Sequence, residues 1–279
     1  MDDALAGTGL KNASLDRTHE AGVWRLLSPG RLFVLAFALR CAFALWLPAA
    51  IVWPDGERYV LIAENLLAGA GFGSLEMNKI AVPTQPLLIA ALLGISGHSY
   101  VAARVGFALI GALSCVLTYR LATAVFDRRV GSLAALLLAI YPLHAYSSAL
   151  FEIPQGIFIL LMSAALLALN TFASKRETGM LLAAGIACGG AALSVPTVLP
   201  YLAALPAWFI LVDARVGFWL RNTAVFLCGV VLVLAPWVGR NYAAYDRFVL
   251  INAAGGENFW KANSSAWRTL RSTRRGAAV

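Results

Sequence analysis

Asp55, Glu57 and Arg58 form the densest polar cluster beside an apolar run in this chain. A carboxylate at a membrane surface, half removed from water, has its pKa raised toward the working range and suits a general base or a metal ligand. The same cluster also suits an ordinary solvated helix start, and spacing alone leaves both readings open. Glu152 is the only acid between Asp127 and Glu177 and lies where two apolar runs meet. An ionisable group at such a junction is a functional candidate, although a plain interfacial glutamate fits equally well. Arg104 begins one apolar run and Arg240 ends another. Outward-facing arginines run against the usual charge bias of membrane loops, so they need a reason. Bidentate binding of a lipid phosphate is one, and structural pairing with Glu152 or Glu57 is the other.

Other chemistry is thin. Cys41, Cys115, Cys188 and Cys228 all sit inside apolar runs, so they read as small buried hydrophobes and not as a metal cluster. His98 and His144 are isolated and do not read as metal ligands. No P-loop, GxSxG or CxxC pattern is present. The glycines at 69, 71 and 73 and Gly255-Gly256 lack a strand–turn–helix context and read as turns.

The elements that must position these residues are membrane helices. The chain has 279 residues, of which 60% are hydrophobic and 13% charged, with a net charge of +8. Mean hydropathy is +0.75. Soluble domains are typically about 45–50% apolar and about 25% charged, so a soluble globular or disordered chain is excluded. The positive charge reads as basic loops on one membrane face, not as nucleic-acid binding. The expected fold is all-α, a polytopic membrane helical bundle. Its predicted parts are a cytoplasmic tail at 1–30 and a core at 31–238 of about seven transmembrane helices. An external segment at 239–265 and an atypical basic tail at 266–279 follow. The spans are placed at about 31–53, 100–126, 129–149, 153–172, 179–195, 197–212 and 217–238. The break at Pro196 is also readable as a kink in one long helix. The external loop 54–99 carries two juxtamembrane helices. The first runs from an N-cap at Asp55 to Leu67, with Tyr59, Ile62, Ala63 and Leu66 on one face and Gly69 as its stop. The second, Gln85 to Ile95, is too short to span. Arg40, inside the anchor span, is expected to face other helices and snorkel. Basic residues alternate between loops so that the N-terminus is inside and residues 54–99 outside.

With these segments in order, the chain resembles the glycosyltransferase C superfamily, in particular the protein O-mannosyltransferase and lipid A aminoarabinose transferase group with its RgtA/B/C/D-like bacterial members. The likeness rests on Asp55-Gly-Glu-Arg-Tyr59 continuing through Ala63-Glu-Asn-Leu-Leu-Ala-Gly-Ala-Gly-Phe72, on Val82-Pro-Thr-Gln-Pro86, on Ala102-Ala-Arg104, on Tyr141-Pro142 and Phe151-Glu152, and on Ala235-Pro-Trp-Val-Gly-Arg-Asn-Tyr242 with Gly255-Gly-Glu-Asn-Phe259 and Asn263. It covers about 30–265. The resemblance implies an enzyme that moves a sugar from a polyprenyl-phosphate donor to an acceptor hydroxyl, with inversion, on the outer face of the plasma (inner) membrane. By that likeness Asp55 is the base and a metal ligand, with Mg or Mn as the ion, and Glu152 is a second catalytic acid. Arg58, Tyr59, Lys79, Arg104, Arg240 and Asn241 bind substrate. The implied partners are membrane lipid, the lipid-linked sugar and an acceptor lipid, glycan or protein.

The chain departs from this pattern in three places. Gly56 stands where relatives carry an acid next to Asp55, Val82 where a lysine is common, and Val195 where a basic residue is common. It also stops early relative to the family, and its arginine-rich end at Arg268, Arg271, Arg274 and Arg275 reads as a frameshift or as a truncation after the seven-span core, with loss of activity as one consequence. The alternative is a non-catalytic membrane protein that binds lipid phosphate or serves as a transporter or assembly partner, although no paired broken helices of a transporter repeat are visible.

Overall fold

An apolar run cannot leave its backbone amides and carbonyls bare in lipid, so it folds as helix and satisfies them within the segment. The computed structural model describes residues 27–46, 54–73, 81–150, 153–213 and 215–265, and these residues are helices and their connections with no strand among them. The anchor helix α1 is Pro29–Trp46, the juxtamembrane helices are α2 (Pro54–Leu67) and α3 (Thr84–Ile95), and α4 is Tyr100–Val125. Then come α5 (Arg128–Ile140), α6 (Pro142–Ala149), α7 (Gln155–Lys175) and α8 (Thr178–Ser194). A 3-10 turn at Pro196–Val198 leads into α9 (Leu199–Ala203) and α10 (Leu205–Val212), and α11 (Val216–Tyr245) and α12 (Ala254–Asn263) close the described chain. This is the all-α polytopic bundle expected.

Four helices, α1, α4, α7 and α11, are long and apolar enough to cross a membrane, and the α5–α6 pair is a fifth if taken as one span bent by 61°. The segments Thr178–Ser194 and Pro196–Val212, placed as spans by sequence, are shorter apolar helices. Pro196, Pro200 and Pro206 lack the amide that would continue the hydrogen-bond ladder, so the second of them is broken into three pieces. Pro142 does the same to 129–149, which sequence had as one uninterrupted run.

Helix α2 starts at Pro54, so Asp55 occupies the first turn and not the N-cap position expected for it. Its other features match the pattern. Tyr59, Ile62 and Ala63 are buried against α3 and α4 together with Ile89, Leu93 and Phe107. Gly69 adopts φ 77°, with Gly69 N–H donating to Leu66 O at 3.1 Å and Ala70 N–H to Asn65 O at 2.8 Å. That is a Schellman stop, which favours glycine because no Cβ opposes the left-handed turn.

The main core joins α7, α8, α10 and α11 through Phe172, Leu181, Cys188, Phe209, Phe226 and Val230. Helices α8 and α11 touch through glycine. A Cβ at Gly185 would meet Phe226 O, and one at Gly229 would meet Leu182 O. Small residues allow this backbone approach in membrane bundles. Of the cysteines, Cys115 and Cys188 are buried as expected, but Cys228 is exposed, because its position on α11 faces outward from the α8 contact.

Candidate functional site

The helix turn that carries Asp55 also carries Tyr59, four residues on and therefore on the same face. Both side chains line a cavity of ≈ 740 Å³. The rest of its wall comes from the same end of the bundle: Tyr141, Leu143, His144 and Ser147 around the α5–α6 break, Ile153 to Gln155 at the start of α7, Ser194 to Pro196 at the end of α8, and Asn258 on α12. The lining is mostly apolar with a few convergent polar groups, the make-up of a ligand site, and the volume lies in the range of about 300–1,000 Å³ typical of one.

Asp55 is not half removed from water; its side chain is 60% exposed, and Arg58 Nη1 donates to its Oδ1 at 3.4 Å. Tyr59 is the buried member of the pair, at 6% exposure. Burial first, and then the negative charge of Asp55, push its phenol up to about 12, against smaller opposing effects of Arg58 and a backbone hydrogen bond at Val82. Tyr59 therefore remains a hydroxyl donor throughout the physiological range.

His144 forms a wall of the cavity and is 3% exposed. Ser114 Oγ donates its only proton to Gly111 O at 2.7 Å and lies 3.0 Å from His144 Nε2. Nδ1 is buried and has no hydrogen-bond partner. Directly behind it, Arg40 is fully buried; it does not snorkel. Its Nε donates to Ser148 Oγ at 2.8 Å, its Nη1 to Ala36 O and Ala139 O, and its Nη2 to Leu138 O and to Cys115 Sγ at 3.6 Å. Cys115 is thus a partner for a cation as well as a small hydrophobe.

The arginines expected to bind phosphate are placed otherwise. Arg104 is 5% exposed and donates to Ala44 O at 3.4 Å, toward α1. Arg240 lies 5.1 Å from each ring centre of Phe72, Trp237 and Tyr245, with hydrogen bonds to Asn241 Oδ1 and Tyr245 Oη. Asn241 is buried and donates to Val249 O and Ile251 O, while Trp237 Nε1 donates to Ile251 O at 2.8 Å. These groups fasten the segment after α11 and the loop after α2 to one end of the bundle, the end that holds Asp55. Neither Arg104, Arg240 nor Asn241 lines the cavity. Glu152 and Lys79 lie outside the described residues. Among the described residues no three His, Cys, Asp or Glu side chains converge.

Sequence reading missed His144, Gln155, Ser194 and Asn258 as cavity residues. Val195-Pro196 was noticed as a break, whereas Tyr141-Pro142 was read only as part of the family likeness inside one run; both bends line the cavity.

The family model for dolichyl-phosphate-mannose-protein mannosyltransferase matches residues 81–239, more than half of the chain. The chain belongs to this mannosyltransferase family. The match runs from just before α3 to near the end of α11 and takes in His144, Gln155 and Ser194; Asp55 and Tyr59 precede it. No curated protein and no solved structure matches the chain. Membership of the mannosyltransferase family and the apolar helices together make this an integral membrane protein of the glycosyltransferase C type.

Proposed function

We propose that this protein transfers a glycosyl group from a polyprenyl-phosphate donor to an acceptor hydroxyl on the outer face of the plasma membrane, with Asp55 as the base. The observation that carries the reading is that Asp55 opens onto the ≈ 740 Å³ cavity of a mannosyltransferase-family bundle. The acceptor hydroxyl gives its proton to the Asp55 carboxylate as its oxygen attacks the anomeric carbon. The bond from that carbon to the phosphate oxygen breaks, polyprenyl phosphate leaves, and one displacement inverts the centre. The carboxylate is reachable from water, with 60% of its side chain exposed, as a base for an incoming hydroxyl must be. Arg58 does not line the cavity, but its pairing with Asp55 makes it a candidate cation for the departing phosphate. The neutral Tyr59 hydroxyl, on the cavity wall, is a donor for sugar hydroxyls. Apolar side chains such as Leu143, Ile153 and Ile159 suit a prenyl tail.

The test is Asp55→Asn, which keeps size and polarity but removes the base. Transfer from a radiolabelled polyprenyl-phosphate sugar in membranes should fall at least a hundredfold, the scale of general-base catalysis, while membrane insertion and yield stay normal. Unchanged transfer would remove Asp55 from the mechanism.

A further inference from the structure

Helix α7 has 21 residues. At 1.5 Å per residue it carries the chain about 31 Å away from the cavity at Asp55, and α8 brings it back. At the far end a second cavity, of ≈ 570 Å³, lies between the α7–α8 turn and the start of α11. Arg176, Arg215 and Arg221 line it, with Asp213 as the only lining acid.

The four charges are not equivalent. Asp213 is committed to its neighbour: Arg215 Nη2 donates to Oδ2 at 2.6 Å and Nε to Oδ1 at 3.0 Å, and the Arg215 backbone N–H also donates to Oδ1. Arg176 lies over the rings of Phe218 and Phe172, 5.1 and 6.0 Å from their centres. Arg221 makes no ion pair among the described residues. Asn222 is 4% exposed and lines the same cavity. The starts of α8 and α11, neither capped by a side chain, add their positive dipole ends.

Three guanidiniums against one carboxylate leave this cavity cationic, with two arginines and an amide on its wall for bidentate and single hydrogen bonds to oxygens. We propose that it binds a phosphate group, presented by an anionic lipid headgroup or free in solution, on the membrane face opposite the cavity at Asp55. The inference does not rest on the transferase reading.

The test uses the full chain in phosphatidylcholine nanodiscs and reads the thermal unfolding midpoint. Replacing a tenth of the lipid by phosphatidic acid, or adding inorganic phosphate against chloride at equal ionic strength, should raise the midpoint by several degrees in a saturable way. A response to phosphatidic acid alone assigns the lipid headgroup as the source, and a response to millimolar phosphate alone assigns the free anion; either supports the site. Arg221→Gln, an exposed position, should weaken the response at least tenfold. Arg176→Gly should do the same without harming the turn, since Arg176 already holds φ 59°, a conformation glycine prefers. Arg128→Gln, at the same end but outside the cavity, should leave the response intact, as should Asp55→Asn. No response to either probe, or equal weakening by Arg221→Gln and Arg128→Gln, would overturn the proposal.

Discussion

A guanidinium with no exposed surface persists in an apolar helix only if its donors are used. Arg40 finds them because of Pro142. Leu138 O would normally accept from the amide of residue 142, and proline has none, so the carbonyls of Leu138 and Ala139 are free for Arg40 at 3.4 and 3.3 Å. Gly111 leaves the room, since a Cβ there would meet Ser148 Oγ and the Arg40 Nε. Replacing Arg40 by Leu strands those carbonyls, and at about 1–3 kcal/mol for each unmet group the bundle should lose roughly 2–4 kcal/mol. Detergent unfolding of Arg40→Leu against wild type reads this directly; equal stability would show that the arginine is idle. Tyr59 makes a separate claim about pH. Its phenol titrates near 12 when folded, above the usual value, so its contribution to stability is complete below about pH 10 and is lost as pH rises toward 12. Absorbance at 295 nm should show a tyrosine ionising at about pH 12 that is absent in Tyr59→Phe.

At the scale of elements, glycines and prolines divide the work. Glycines bring α8 and α11 together: the Gly185 contact is with Phe226 backbone, which cannot swing aside as a side chain would. Gly185→Ala should therefore cost about 1–3 kcal/mol in unfolding free energy. Gly179→Ala, on the same helix with nothing within 4 Å of its Cβ, should be neutral or slightly stabilising. If both substitutions behaved alike, close packing would not be what joins these helices. Prolines open the other end. The chain bends at Pro142 and Pro196, and residues at both bends line the cavity. The bend at Pro142 was read through as part of one run, but the break at Pro196 was legible, being written in a single residue. The continuation of α11 past Pro236 to Tyr245 was not. It is anchored by Trp237 and Asn241 reaching the 249–251 segment, a tertiary contact.

Across the whole molecule the two ends differ in character. One holds the cavity with Asp55, Gln155, Ser194 and Asn258; the other holds Arg128, Arg129, Lys175, Arg176, Arg215 and Arg221. The bias of basic residues toward the cytoplasm predicts that the cavity faces outside. Cysteines at Asn258 and Thr178 test this. In intact cells Asn258→Cys should react with an impermeant maleimide and Thr178→Cys should react only after permeabilisation; labelling of both from one side would overturn the orientation.

The all-α membrane class and the juxtamembrane helices were determined by sequence alone, because hydropathy, helical spacing and Gly or Pro punctuation act between near neighbours. Tertiary structure alone decided that His144, Gln155, Ser194 and Asn258 meet Asp55, and that Arg240 is enclosed by Phe72, Trp237 and Tyr245 away from the cavity wall. Such meetings depend on how bent helices pack side by side, and the hydrophobicity of any one segment carries no record of which residues lie across from it.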